Sequence, residues 1–351
     1  MKAVAVERNG EVHVVNIPKP TYNEYECLVR IRACGICNST DLKIINNELG
    51  DCPIEYPSIL GHESVGEIVA VGSKVKNYKV GDRVVNPFGR LEPGVEYGYT
   101  FAQMCEWGIV HDLEVMKEDG LPMPAETEGL IIETQADYPV NFIPEGISFE
   151  DATILLTVKE NYSALKNFGV KEGMNVFVFG DGPVAYGLTS LLKLMGASYV
   201  GCSGHHDDRL EILRNKANVD LTVNTHNTSV KEAVGDRKFD LVIDAIGSTD
   251  VIFEGAEILK QGGKIGMYGV LKKGKGNIDL LHVPNNICIH KLNDPYGEYR
   301  SHEEVCELVK AGKINLKDFY SHTLPIDQAA EAFELVKSRK AYKVVLTMFD
   351  E

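Results

Sequence analysis

Residues 174–196 read MNVFVFGDGPVAYGLTSLLKLMG, which is an apolar strand, a glycine-rich turn and a helix in direct succession. Gly180 permits the tight turn, and Gly182 lets a pyrophosphate approach the start of the helix, where free N–H groups and the helix dipole favour an anion. Ala185 takes the third position of the motif, where a small residue lets the helix pack on the strand. The stretch predicts a dinucleotide-binding turn; the alternative is an ordinary strand–helix turn that binds nothing.

Strands and helices alternate around this turn, and such alternation is typical of a parallel sheet with helices on both faces. The sequence therefore predicts a doubly wound parallel sheet, entered through a helix with Ser148 as its N-cap. The predicted segments are the helix 148–168, the strand 199–204, the helix 208–217 and the strands 239–247 and 262–270.

The chain outside this region is rich in short strand signals. Residues 26–37 alternate apolar and polar side chains, and residues 64–85 are β-branched runs broken by glycines, which predicts a compact β-rich domain. Residues 87–137 are irregular and predict a loop-rich lobe. The tail predicts two helices, at 301–312 and 325–340, before a last strand. The fold class is thus α/β.

Composition limits the class of protein. The 351 residues are 44% hydrophobic and 25% charged, values of a globular chain that is long enough for two domains. The net charge of −15 disfavours binding to nucleic acid or to an anionic membrane surface. The N-terminus lacks the apolar core of a signal peptide, and the eight scattered cysteines suggest reduced thiols. We expect a cytoplasmic protein that acts on small molecules, without nucleic acid or membrane partners.

Cys37, His62 and Glu63 are candidate metal ligands. A thiolate, an imidazole and a carboxylate are the ligand types of an open catalytic zinc site. Cys34 and Cys37 form a C-x-x-C pair, which also permits a redox pair or half of a structural zinc site. No second C-x-x-C pair exists to complete a structural site.

Several segments together resemble the zinc-dependent medium-chain dehydrogenases, which include alcohol, polyol and glucose dehydrogenases. The resemblance implies a GroES-like catalytic domain made from residues 1–147 and 286–351, and a Rossmann cofactor-binding domain made from residues 148–285. The segments that carry it are ACGICNSTDLK (33–43), ILGHESVGEIVAVGSKVKNYKVGDRVV (59–85), PEGISFEDA (144–152), FGDGPV (179–184), VIDAIG (242–247) and LKQGGKIGMYG (259–269).

The resemblance implies that Cys37 and His62 bind zinc and that Glu63 is the adjacent carboxylate. Ser39 takes the place of a hydroxyl that hydrogen-bonds the substrate alcohol. Polyol-specific relatives carry a glutamate ligand in the helix that opens the second domain, where counting places Leu156. Glu160 lies one helical turn later, so either Glu63 or Glu160 completes the predicted site.

The sequence departs from the family at three other places. Thr40 stands where an aspartate usually orients the ligand histidine, although Asp41 is next to it. Leu42 stands where many relatives have a proton-relay histidine, and Lys43 is a candidate substitute. The stretch that holds four cysteines of a structural zinc lobe in many relatives contains only Cys105, so we predict one zinc per chain.

The end of the second strand bears on cofactor preference. An NAD-binding site usually has an acidic residue there for the ribose hydroxyls. Ser203 and Gly204 stand there instead. His205, His206 and Arg209 follow and can carry positive charge, which favours NADP over NAD. Asp207 or Asp208 remains the alternative for binding a ribose. The predicted cofactor-binding residues are Gly180, Gly182, Pro183, Val184, Ser203, Gly204, His205, His206, Arg209, Ala245, Ile246, Gly247, Tyr268, Gly269 and Val270.

The activity implied by the resemblance is hydride transfer between a secondary alcohol or polyol, or the matching ketone, and NAD(P). Two alternatives stay open at this point. One is a zinc-free quinone or enoyl reductase of the same superfamily, and the other is a nucleotide-binding regulator without catalytic activity. The resemblance also implies a homodimer or homotetramer.

Overall fold

The computed structural model describes residues 1–50, 53–99, 101–127, 137–292 and 296–349. Within these residues, the first part of the chain contains nine strands and two short helices. The strands are β1 (Lys2–Val6), β2 (Val12–Asn16), β3 (Glu26–Gly35), β4 (Ser58–Ile59), β5 (Glu63–Val71), β6 (Arg83–Val85), β7 (Gly98–Tyr99), β8 (Trp107–His111) and β9 (Asn141–Phe142), and the helices are α1 (Thr40–Ile45) and α2 (Leu113–Glu118).

The middle of the chain alternates helices and strands, as predicted. The helices are α3 (Phe149–Ala152), α4 (Ile154–Phe168), α5 (Pro183–Leu194), α6 (Asp207–Lys216), α7 (Val230–Val234) and α8 (Asp250–Ile258). The strands are β10 (Asn175–Phe179), β11 (Tyr199–Gly204), β12 (Leu221–Asn224), β13 (Phe239–Asp244), β14 (Leu259–Met267) and β15 (Cys288–Lys291). Ser148 caps α3, because its hydroxyl accepts a hydrogen bond from the N–H of Asp151 at 3.1 Å.

The six strands of the middle region form one parallel sheet in the order β12-β11-β10-β13-β14-β15. Side chains of β10 alternate between its two faces. Val176 and Val178 pack into the cluster that contains α4 and α5, whereas Phe177 and Phe179 pack into the cluster that contains α7 and α8. Helices therefore cover both faces, which confirms the predicted doubly wound sheet.

The tail returns to the first part of the chain. It consists of α9 (His302–Lys310), β16 (His322–Pro325), α10 (Ala329–Lys337) and β17 (Val344–Thr347). Strand β17 pairs antiparallel with β3, and β3 also pairs with β5 and β8 in a seven-stranded sheet. A separate four-stranded sheet has the order β2-β1-β4-β7. Both ends of the chain thus contribute strands to this sheet, which is the arrangement that the resemblance implies.

The predicted domain limits, 1–147 with 286–351 and 148–285, stay a prediction. The strand pairing bears on the last limit, because β15 is in register with β14, with Met267 opposite Lys291. We therefore infer that the boundary near residue 285 should move beyond Lys291.

The stretch 87–137 is more regular than the sequence predicted, since it contains β7, β8 and α2. The carboxylate of Asp112 caps α2 by accepting from the N–H of Val115, a cap that the loop prediction overlooked. Thr100 and residues 128–136 of this stretch lie outside the described residues. No helix in the described part of the chain combines the length and apolarity needed to span a bilayer.

Candidate metal centre and cofactor cleft

Cys37, His62 and Glu63 come together in the structure. One ligand atom from each, the thiol sulfur, a ring nitrogen and a carboxylate oxygen, lies within 4.8 Å of the other two. The sheet explains how residues far apart in sequence meet. Strands β3 and β5 pair with Gly35 opposite Glu63, so the end of one strand lies beside the start of the other. Among the described residues this is the one group of three His, Cys, Asp or Glu side chains with such spacing.

Two glycines leave room for this cluster. A Cβ atom at Gly35 would lie 2.4 Å from Oε2 of Glu63. Gly61 has a φ of +98°, and a Cβ there would lie 2.4 Å from the side chain of Met104. The turn before His62 therefore requires glycine both for its backbone conformation and for space.

The carboxylate that orients His62 is Asp41. Its Oδ1 lies 3.4 Å from Nδ1 of His62, and its Oδ2 accepts a hydrogen bond from the N–H of Cys37 at 2.8 Å. Asp41 is fully buried, so this geometry is held by packing. The expected departure at Thr40 is thus corrected: the aspartate is present one residue later, at the second position of α1. With Nδ1 facing Asp41, Nε2 of His62 is left to bind a metal.

Neighbouring charges favour the thiolate form of Cys37, which is the form that binds a metal. Burial raises the pKa of the Cys37 thiol, but the hydrogen bond and charge of His62 outweigh burial and leave this pKa below its usual value. Burial also lowers the pKa of His62, and the charge and hydrogen bond of Asp41, together with Cys37, reverse this and raise it well above the usual range. A thiolate beside an oriented imidazole and a carboxylate is a donor set that fits zinc.

Glu63 has a partner that sequence reasoning missed. Oε2 of Glu63 lies 2.5 Å from Nζ of Lys343, and the two side chains are only 5% and 4% exposed. Burial lowers the pKa of Lys343, but the charges of Glu63 and Cys37 raise it above the usual value. A signal was present in the sequence, because Lys343 stands directly before the apolar run of the last strand, and a buried lysine needs a partner.

Glu160 lies on α4 and is not part of the three-residue cluster. Burial, and then the negative charge of Glu298, raise the pKa of its carboxyl group well above the usual value, and the positive charge of His62 opposes this. Leu156, one turn earlier, is buried. The structure therefore brings Glu63, rather than Glu160, to Cys37 and His62.

Ser39 follows Cys37 by two residues, and its hydroxyl has a lysine as partner. Oγ of Ser39 accepts a hydrogen bond from Nζ of Lys43 at 2.6 Å. Leu42 instead packs against the apolar core of the β-rich part. The side chain next to the serine is thus Lys43, the substitute that the sequence suggested.

The glycine-rich turn has the predicted geometry. Gly180 has a φ of +134°, a conformation that favours glycine, and its N–H donates to the carbonyl of Ser203 at 2.9 Å. Gly182 caps α5 and Pro183 is the first residue of that helix. A Cβ at Gly182 would meet no atom within 4 Å, so the backbone is open to a ligand there.

The other predicted cofactor-binding turns lie at the same edge of the sheet. A Cβ at Gly247 would lie 2.1 Å from the carbonyl oxygen of Val270, and one at Gly269 would lie 2.1 Å from the nitrogen of Gly247. The turns after β13 and β14 are therefore in contact. Asp244 holds the first of them, because its carboxylate accepts from the N–H groups of Ile246 and Gly247, each at 2.9 Å.

An acidic side chain does lie at the end of β11, but it comes from the glycine-rich turn. A Cβ at Gly204 would lie 2.4 Å from the carboxylate of Asp181. Oδ2 of Asp181 accepts from the backbone N–H groups of His205 (2.8 Å) and His206 (3.0 Å) and lies 2.7 Å from Nδ1 of His206. The sequence reading did not assign this role to Asp181, although a charged residue between the two glycines was a visible signal.

Two arginines surround the same turn. Arg209 Nη1 lies 3.8 Å from Oδ1 of Asp181, and Arg339, which follows α10, donates to Nε2 of His206 at 3.1 Å. Since an arginine only donates, Nδ1 of His206 carries the hydrogen that faces Asp181. Asp207 is engaged elsewhere, because it accepts from the amide of Asn224 at 2.6 Å.

Sequence comparison identifies both parts of the chain. Residues 23–120 match the alcohol dehydrogenase GroES-like domain, and residues 183–297 match the zinc-binding dehydrogenases; together the matches span more than half of the chain. Sorbitol dehydrogenase of Bacillus subtilis (strain 168) is 26% identical over 341 residues, covering 95% of this chain and 93% of that protein. D-xylulose reductase of Saccharomyces cerevisiae is 28% identical over 346 residues, with the same two coverages of 95% and 93%.

Solved structures share the fold. The alcohol dehydrogenase TADH from Thermus sp. ATN1 superposes with a TM-score of 0.76 at 22% identity, over 99% of both chains. A putative zinc-binding dehydrogenase from Sinorhizobium meliloti 1021, solved bound to NADP, gives a TM-score of 0.76 at 20% identity and the same coverage.

The shared fold and the two matched domains define a GroES-like domain joined to a Rossmann domain, the architecture of zinc-binding dehydrogenases. The chain belongs to the zinc-dependent medium-chain alcohol and polyol dehydrogenases. As an enzyme of this family, it uses zinc and a nicotinamide cofactor on a small-molecule substrate. The predicted family, fold class and enzyme class are thereby confirmed.

Proposed function

We propose that this protein oxidises a secondary alcohol or polyol, and reduces the matching ketone, with zinc held by Cys37, His62 and Glu63. The observation that carries the proposal is the convergence of these three ligand atoms within 4.8 Å of one another. The relatives named sorbitol dehydrogenase and D-xylulose reductase, matched over nearly their whole length, support a polyol as substrate.

Each residue of the site has a role in this proposal. The lowered pKa of Cys37 favours the thiolate that binds a metal. Asp41 orients the imidazole of His62, and the carboxylate of Glu63 supplies the third ligand. Zinc, when bound, acts as a Lewis acid on the substrate oxygen, and the nicotinamide carries the hydride. Ser39 hydrogen-bonds the substrate hydroxyl and moves its proton.

The surroundings favour a neutral polyhydroxy substrate. Phe101 packs on His62 with a ring-centroid distance of 5.2 Å and gives the site an apolar wall. Glu160 and Glu298 lie close enough to interact electrostatically, and carboxyl groups hydrogen-bond the hydroxyl groups of a polyol. Because the pKa of Glu160 is raised, its carboxyl group can also donate a hydrogen bond.

We further propose that NADP is preferred over NAD. No carboxylate projects from the end of β11, where Ser203 and Gly204 stand. Asp181 supplies one negative charge, but Arg209 and Arg339 supply two positive charges beside it. Arg339 forms no ion pair with a carboxylate in the described ranges, so its charge remains for a 2′-phosphate. The preference rests on this balance of charge.

The experiment that tests the function has two parts. Initial rates are measured for alcohols, polyols and sugars with NAD and with NADP, and the zinc content is measured in the same preparation. We expect about one zinc per chain and turnover of a polyol. Cys37→Ala should abolish zinc binding and turnover, whereas Cys34→Ala, a buried neighbour outside the cluster, should keep both.

The outcomes also separate the alternatives. Turnover of a quinone or enone without zinc would indicate the zinc-free reductase, and cofactor binding without turnover would indicate the regulator. A fully active Cys37→Ala variant would overturn the metal assignment. The expected cytoplasmic location, the dimer or tetramer, the single zinc and the lack of nucleic-acid or membrane partners remain predictions.

A further inference from the structure

Lys43 is a buried lysine with an unusual partner. It lies one turn after Ser39, it is 7% exposed, and its Nζ donates to Oγ of Ser39 at 2.6 Å. Within the described ranges no carboxylate lies at ion-pair distance from this Nζ. Buried lysines are otherwise almost always paired with a negative charge, because an unpaired ammonium is costly to desolvate. Lys43 is therefore not neutralised by a carboxylate, and its contact with the hydroxyl of Ser39 calls for another explanation.

The direction of this hydrogen bond matters. Because Oγ of Ser39 accepts from Lys43, the hydrogen of the serine hydroxyl is left to be donated to another oxygen, which is the arrangement that delivers a proton to the substrate in the reduction. In the oxidation the same contact is used in reverse, with a neutral Nζ accepting from Oγ. Ser39 is two residues from Cys37, and in the proposed function that oxygen is the substrate oxygen. Leu42 packs against the apolar core, and the N–H of Thr40 is directed at Sγ of Cys37 at 3.3 Å.

We propose that Lys43 is the base that receives the proton of the substrate hydroxyl through Ser39 and returns it in the reverse reaction. This inference rests on the proposed function. In the oxidation, the substrate hydroxyl gives its proton to Oγ of Ser39 while Ser39 gives its own to neutral Nζ of Lys43. The carbinol C–H gives a hydride, with both electrons, to the nicotinamide. The ammonium then loses the proton to water, and reduction runs the same steps backwards.

The surroundings of Lys43 favour the neutral amine that this role needs. Burial lowers the pKa of Lys43 and is the largest effect; Cys37, Asp244 and Glu48 oppose it, and Lys272 reinforces it. A divalent cation bound to the cluster adds positive charge and acts in the same direction as burial. The surface ion pair of Lys272 and Glu48, with Nζ and Oε2 2.9 Å apart, lies among these groups and marks the side toward solvent.

Three substitutions separate a proton carrier from a merely structural lysine. Lys43→Met removes a buried charge at similar volume, so we expect it to fold. Lys43→Arg keeps a charged donor for Ser39 but does not release a proton near neutral pH. We expect both to lower kcat for alcohol oxidation about 100-fold, the usual range for a lost acid–base group, with zinc content unchanged and the Kd for cofactor within twofold. Lys43→His should recover part of the rate with a new pH profile, and the exposed Lys79→Met serves as control.

A second measurement does not depend on turnover. The metal-free protein is treated with acetic anhydride across a pH series, and mass spectrometry of peptides compares Lys43 with the exposed Lys340. We expect the small modified fraction at Lys43 to rise at lower pH than that at Lys340. Equal titration of the two lysines, or a Lys43→Arg variant with the wild-type rate and pH profile, would overturn the inference. A wild-type protein without zinc or turnover would instead overturn the proposed function, and the acetylation result would still decide whether Lys43 has a depressed pKa.

Discussion

Glu63 and Lys343, which are 280 positions apart in the chain, form an ion pair with Oε2 and Nζ at 2.5 Å. Both side chains are buried, and Glu63 is also a member of the cluster with Cys37 and His62. The carboxylate therefore has two possible counter-charges, the lysine and a metal. This arrangement couples the last strand of the chain to the metal site.

Replacement of Lys343 by methionine should test this coupling. Removal of one partner of a buried ion pair leaves an uncompensated charge, so we expect Lys343→Met to lower the free energy of unfolding of the metal-free protein by about 3 kcal/mol. With zinc bound the loss should be smaller, because the metal compensates Glu63. Urea unfolding with and without zinc measures both values, and Lys343→Arg, which keeps the charge, is the control. An equal loss in the two states would argue against Glu63 as a ligand.

The oriented histidine leads to a second prediction. Asp41→Asn keeps the size of the side chain but removes the negative charge beside Nδ1 of His62. Loss of such a partner typically weakens metal affinity 10- to 100-fold, which we expect here. Competition with a chelator measures the Kd for zinc. Thr40→Val, whose contact with Cys37 is made by the backbone, should stay within twofold of wild type. If Thr40→Val weakened zinc binding more than Asp41→Asn did, Thr40 rather than Asp41 would be the residue that supports the ligand histidine.

Cofactor preference should depend on Arg339. Its side chain contacts His206 and faces the end of β11. We expect Arg339→Ala to raise the Kd for NADPH about tenfold, corresponding to one charge-assisted contact of about 1.4 kcal/mol, and to change the Kd for NADH less than twofold. Fluorescence titration with each reduced cofactor measures this, and the neighbouring exposed Lys340→Ala is the control. Equal effects on both cofactors would contradict a role in binding the 2′-phosphate.

Lys159 gives a prediction about stability and pH. It is fully buried on α4, where its Nζ donates to Oδ1 of Asn141 at 2.8 Å, and burial lowers its pKa from 10.5 to about 8. Between pH 8 and 10.5 the unfolded chain binds more protons than the folded one, so this lysine makes stability rise with pH in that window. Below pH 8 the buried ammonium lowers the free energy of unfolding by up to about 3 kcal/mol. This value corresponds to the shift of the Lys159 pKa from 10.5 to about 8.

Lys159→Met should therefore raise the free energy of unfolding at pH 7 by about 1 to 3 kcal/mol, and the gain should shrink at pH 10. Urea unfolding of both proteins at the two pH values measures the difference. Lys166→Met, at an exposed position of the same helix, should show no such pH dependence. A gain that is the same at both pH values would show that titration of Lys159 is not its cause.

Much of the fold was predictable because its signals are local. The turn at Gly180 and Gly182 is readable from adjacent residues, and the alternation of strands and helices predicts the parallel sheet. The loop prediction for 87–137 failed at α2, because its cap at Asp112 is a single side-chain contact without a strong apolar pattern. The predicted limit at residue 285 leaves β15 outside the Rossmann domain, because this short edge strand has little burial and gives a weak sequence signal.

The sequence by itself determined the chemistry available to this protein: a glycine-rich turn for a dinucleotide, and a cysteine, a histidine and a carboxylate for a metal. These properties follow from residue type and short-range spacing. Only the tertiary structure decided which groups meet. It placed Glu63 in the cluster with Cys37 and His62, and it brought Lys343 to Glu63. It also placed Asp41 rather than Thr40 behind His62, and it set Asp181 in the space left by Gly204. Each of these choices depends on strand register or on packing between distant segments, and a linear pattern contains no distance between them.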